Sequence, residues 1–120
     1  MKKLSKLTAS LVLLFVAQSV FACDYPTRVM VPNGNSATKE DMLTGQKGVK
    51  TYVAEMEVYL ECIVAEEKTA RDALGALEPE QEQEREDMLN KKYNAAVDEM
   101  ERLAAQFNSE VQAYNAQDKG

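Results

Sequence analysis

Gly75-Ala76-Leu77-Glu78-Pro79-Glu80-Gln81-Glu82-Gln83-Glu84 (residues 75–84) is the stretch whose reading decides the fold. Proline at 79 cannot donate to a continuing helix, and it steers the residue before it away from helical geometry. It does suit the first turn of a new helix, where its missing N–H has no intrahelical partner to lose. The acids that follow sit where a helix N-terminus is positive, and Gly75 lies close to where a preceding helix would stop. The segment therefore reads as a short turn between two helices.

Working outward, apolar residues recur on both sides at helical spacing. Upstream, Met42, Val49, Met56, Ile63, Ala70 and Leu77 fall seven apart, flanked by Gly45, Tyr52 and Tyr59 and by Val53, Leu60 and Leu74. That is one stripe on a long helix. Downstream, Tyr93, Met100, Phe107 and Tyr114 repeat the spacing, joined by Val97, Ala104 and Val111 and by Leu89, Ala96 and Leu103. A hairpin folding about position 78 pairs residues whose numbers total about 156, so Met42 meets Tyr114, Val49 meets Phe107, Met56 meets Met100 and Ile63 meets Tyr93. Both stripes share one mirror point, which is stronger evidence than either alone. Glu67 with Arg71, Asp87 with Lys91 and Asp98 with Arg102 are acid-before-base pairs four apart and mark the expected solvent side. The predicted fold is all-α: an antiparallel, coiled-coil-like two-helix hairpin with an extended N-terminal segment.

The start of the first helix is marked by Thr38, a hydroxyl N-cap followed by Lys39-Glu40-Asp41 with acids in the first turn. Residues 23 to 37 hold Pro26, Pro32, an Asn33-Gly34 turn signal and a short Val29-Met30-Val31 run, which reads as extended chain and then a turn. The expected organisation is a signal peptide over 1–22, an extended segment over 23–38, helix 1 over 39–77, and turn plus helix 2 over 78–117, the helices forming one domain.

Residues 1–22 carry the marks of a secretory leader: a basic start with Lys2, Lys3 and Lys6, an apolar run from Leu11 to Ala17, and Val20-Phe21-Ala22 before an expected cleavage. A spanning helix would need about 20 apolar residues. Val20-Phe21-Ala22-Cys23 also looks like a degenerate lipobox, which would place a lipid anchor on Cys23. Phe21 fits that pattern badly, and it would leave Cys62 unpaired in an oxidising compartment.

Cys62 lies about 24 residues into helix 1, about 36 Å from its start at 1.5 Å per residue. Cys23 precedes the helix by about 16 residues, which reach about 50 Å when extended. A structural disulfide between Cys23 and Cys62 is therefore within reach, with the N-terminal segment running back along helix 1. Gly48 and Gly45 on that edge leave room for Val29 or Val31. Two helices alone bury little; the disulfide is one remedy and dimerisation into a four-helix bundle another.

The expected cleavage removes three lysines, so 14 basic residues become 11 against 20 acidic, net −9. That sign opposes binding to nucleic acid or anionic lipid. There is no histidine, which takes away the usual general base and the commonest zinc ligand. Of the serines only Ser36 and Ser109 follow the leader, neither in a nucleophile elbow, and no glycine pattern cradles a phosphate. Glu82, Glu86 and Asp87, or Glu57 and Glu61, are close enough on a helix to share a weakly held cation, but no calcium-loop spacing supports a metal site. Met42, Met56, Met88 and Met100 read as core rather than metal ligands, and Tyr52, Tyr59, Tyr93 and Tyr114 as packed rings with hydroxyls near the rim. No catalytic residue, cofactor or metal is expected.

Cys23, Val31-Pro32-Asn33-Gly34, Thr38 to Met42, Val49 to Tyr52, Tyr59 to Cys62 and Tyr93 to Met100 together make the chain resemble a family of small secreted bacterial two-helix proteins of uncharacterised function. The resemblance covers most of the chain after the leader. It implies export and this helical layout, and it carries no activity and no site residue. The expectation is a non-catalytic periplasmic or secreted interaction or structural module with a protein partner. A holdase-like periplasmic chaperone, or an acidic inhibitor of a basic cell-wall enzyme, is the alternative.

Overall fold

A computed structural model describes residues 23 to 118. Residues 1 to 22, and with them the expected signal peptide, lie outside the described residues, as do 119 and 120. Helix α1 spans Lys39–Leu74 and helix α2 spans Pro79–Asn115, and they pack on each other as an antiparallel hairpin. Thr38 begins α1 through a reciprocal cap: its hydroxyl accepts the Asp41 N–H at 3.1 Å while the Asp41 carboxylate accepts the Thr38 N–H at 2.9 Å. Two of the four donors that a helix start leaves unpaired or exposed are thereby satisfied. The Thr38 backbone and side-chain bonds hold the Asp41 carboxyl below its ordinary value.

α1 ends at Leu74 rather than at residue 77. Gly75 takes φ +71° and ψ −145°, a region almost reserved for glycine, and its N–H still reaches the Arg71 carbonyl at 3.2 Å. Pro79 occupies the first turn of α2, and the Glu78 N–H finds the Gln81 side-chain oxygen at 3.3 Å. The connection is thus residues 75 to 78, and its centre lies before the proline.

This moves the register. Glu67 meets Arg85, Gly45 faces the Phe107 ring, and Arg71 reaches the Glu82 carbonyl. The paired numbers total 152 or 153 instead of 156, a slide of about one helical turn. The cause is that proline belongs to the second helix and not to the apex of the bend. The buried seam shifts with it. Met42, Val49, Tyr52, Met56, Leu60 and Ile63 of α1 pack with Ala96, Leu103 and Phe107 of α2, and Ala37 closes the open end. On α2 the deepest positions are Ala96 and Leu103, while Tyr93 sits at the rim, 39% exposed.

Residues 23 to 37 form a strap over one face of the hairpin. Cys23 is bonded to Cys62, and Val29 lies against Gly48. Six residues of strap therefore match fourteen of helix, about 21 Å at 1.5 Å per residue, which is close to full extension. The strap continues to Pro32, seated on Gly45, and then turns at Asn33, whose carbonyl accepts from Ser36 and Ala37.

Candidate functional site

The chemistry-bearing side chains of the described residues gather where the strap meets the two helices. Cys23 and Cys62 form a disulfide with Cα atoms 5.7 Å apart, closing a separation of 39 residues. Next to it the Tyr25 ring meets Tyr59 edge-on, centroids 5.0 Å apart at 77°, a favoured aromatic geometry. The guanidinium of Arg28 then crosses to α2, ion-pairing with Glu99 at 3.2 Å and donating to Gln106 at 2.8 Å. Glu99 also holds Arg102, so one carboxylate ties the strap to its own helix surface.

At the far end the Gly34 N–H donates to the Glu110 carboxylate at 2.6 Å, and the Gln117 amide donates to the carbonyls of Ala37, at 3.0 Å, and Gly34. A Cβ on Gly34 would overlap the Glu110 carbonyl oxygen, so only glycine allows this approach. The Asn33-Gly34 signal marked a turn; its second role, letting backbone touch backbone, depends on a contact between residues 76 apart and has no local sequence mark.

Beneath the strap Tyr52 is fully buried, and among the described residues no well-formed hydrogen bond reaches its hydroxyl, although the Tyr25 side chain lies close to it. Burial, aided by nearby Tyr25, pushes its ionisation up to about 12, so the ring remains a neutral phenol. Beside the disulfide lies a cleft of about 390 Å³, bounded by Tyr59, Ile63, Glu67, Arg85 and Lys92. Glu67 organises it: its oxygens accept two bonds from Arg85, at 2.9 and 3.0 Å, and one from Arg71 at 3.0 Å. Hydrogen bonding from Arg85, with Arg71 behind it, holds the Glu67 carboxyl below the usual carboxylate range. The Glu67–Arg71 pair expected on the solvent side is thus half of a link between helices, and Arg102 pairs with Glu99 rather than Asp98.

Cys23, Cys62 and Glu66 bring their ligand atoms within 4.8 Å of one another. A bridged sulfur carries no thiolate, the form a metal takes, so this trio does not hold an ion while the disulfide stands. The Glu66 carboxylate lies 3.1 Å from Cys23 Sγ, which as half of a disulfide has no proton to donate. Among the described residues, neither Glu82, Glu86 and Asp87 nor Glu57 and Glu61 falls into such a group. What the arrangement does is fasten: a covalent bond at one end of the strap, an ion pair in the middle and a backbone clamp at the other end. Comparison with protein-family models, with curated proteins and with solved structures returned no match.

Proposed function

We propose that the chain is an exported, non-catalytic interaction or structural module of the bacterial envelope, cleaved after Ala22 and held in shape by its disulfide. The observation that supports this reading is the Cys23–Cys62 bridge, which ties the start of the strap to a point about two thirds of the way along α1. Bonds of this kind persist in oxidising compartments such as the periplasm. Among the described residues no helix is long and apolar enough to cross a membrane. Cell fractionation combined with the intact mass of the purified protein tests the proposal. The expected species lacks residues 1–22, carries no lipid, and takes up thiol label at two sites only after reduction. Retention of the leader, or a diacylglyceryl adduct on Cys23, contradicts it.

A holdase-like chaperone is the second reading, favoured by the exposed methionines Met30 and Met88, at 93% and 59%, because flexible thioethers adapt to varied apolar clients. Aggregation of a heated client that proceeds at the same rate across a concentration series of the protein removes it.

A further inference from the structure

The strap covers one face of the hairpin, and the opposite face of α1 carries a four-member line with a symmetry of its own. Leu43, Lys50, Glu57 and Val64 follow one another at intervals of seven residues, a spacing that keeps side chains on one side of a helix with only slow drift. Each strap contact on α1, at Gly45, Gly48, Tyr59 and Cys62, stands two residues from a member of this line. At 3.6 residues per turn two residues are about 200° round the helix, so the line looks away from the strap. Leu43 and Val64 are large apolar side chains at 54% and 46% exposure. Lys50 and Glu57 are exposed, and neither has an ion-pair partner among the described residues. The face continues onto α2, where Tyr93 borders a shallow hollow with Leu60, Val64 and Lys68.

Read from either end, the line is apolar, charged, charged, apolar, with the two charges opposite in sign. An antiparallel second copy set about a two-fold axis between Val53 and Ala54 therefore brings Leu43 onto Val64, Lys50 onto Glu57, and the same two contacts again by symmetry. Self-complementarity of this kind is what a two-fold interface requires of one surface patch. Lys39 and Lys68, which continue the line by one turn at either end, meet like to like, and they fall at the ends of the contact. We propose that two copies of the chain pack by this uncovered face into an antiparallel four-helix bundle, with Lys50 of each paired to Glu57 of the other.

The test exploits the symmetry. Sedimentation of the purified, disulfide-intact protein over a concentration series is expected to give a dimer. Lys50→Glu alone sets four acids against one another, and Glu57→Lys alone sets four lysines together. Each is expected to weaken association about tenfold, since symmetry counts every exposed pair twice. The double variant Lys50→Glu with Glu57→Lys recreates both ion pairs in reverse and is expected to restore the dimer. Circular dichroism of each variant separates lost association from lost folding, because these exposed positions leave the hairpin seam intact. A wild-type protein that sediments as a monomer at every concentration overturns the proposal. So does a double variant that associates no better than the single ones.

Discussion

Glu67 of α1 accepts hydrogen bonds from Arg85 Nε and Nη2 of α2, at 2.9 and 3.0 Å, and so fixes the level at which the two helices face each other. The pairing is planar and two-pronged, the geometry in which a carboxylate and a guanidinium bond most strongly. Because Glu67 is held below the usual carboxylate range, its contribution is present above the unfolded value, about 4.3, and is lost as pH falls through the lower folded value. Stability is therefore expected to decline with acidification below about pH 5, and to decline less in Glu67→Gln, which is destabilised at neutral pH by about 1 kcal/mol. Urea unfolding at pH 7 and pH 3.5 checks both statements.

The three glycines of the strap contact are expected to respond differently to alanine. At Gly34 the new methyl would overlap the Glu110 carbonyl oxygen, with helix backbone that cannot yield, so the clamp at the end of α2 opens and at least about 2 kcal/mol is lost. At Gly45 it would stand 2.7 Å from the Pro32 ring, and the strap must lift there. At Gly48 the nearest atoms, on Val29, are 3.8 Å away, an ordinary contact, so Gly48→Ala is expected to stabilise by about 0.5–1 kcal/mol through helix propensity. Thermal denaturation of the three variants, ranked against one another, tests the strap's path residue by residue.

Opening the bridge frees a long loop. In the chain-entropy account a closed separation of 39 residues contributes about 4 kcal/mol. The double variant Cys23→Ser with Cys62→Ser is expected to lose about that much while keeping its helical far-ultraviolet signal when folded. Equal stability of the wild type with and without reductant would mean that the strap does not depend on its covalent end.

Tyr52 offers the opposite sign. Its hydroxyl is buried beside Tyr25 with no well-formed hydrogen bond among the described residues, so Tyr52→Phe removes a poorly satisfied, desolvated polar atom and keeps the ring. The expected change is a gain of about 1 kcal/mol in unfolding free energy, read by denaturant titration. A loss of similar size would mean that the hydroxyl is bonded in solution.

The two helices, the cap at Thr38 and the path of the strap could be read in the chain because each is written locally: a hydroxyl before acids, a proline after a glycine, two stripes of apolar residues at one period. The level of the pairing was displaced by about one turn because proline marks where α2 begins and not where the bend is centred. Only the conformation of Gly75 shows how early α1 stops. Tyr93 belongs to the expected stripe by spacing yet stands at the rim, since the slide carries Ala96 and Leu103 into the seam. That the strap would pass close to Gly48 and Gly45 was legible because a glycine on a helix edge advertises space, but the choice of Val29 over Val31 at Gly48, and of Pro32 at Gly45, was not. The links from Arg28 to Glu99, Gly34 to Glu110 and Glu67 to Arg85 were not, because charged and amide side chains on exposed helix faces carry no sign of which partner folding brings to them.

Nuclear Overhauser contacts in the disulfide-intact protein measure the strapped hairpin most directly. The α-protons of Gly48 are expected to see the Val29 methyls, and those of Gly45 to see the Phe107 ring, reporting the strap on α1 and α2 on α1 in one spectrum. A folded, helical protein in which both cross-peaks are missing and only neighbours along the chain are in contact would contradict the hairpin and the strap alike.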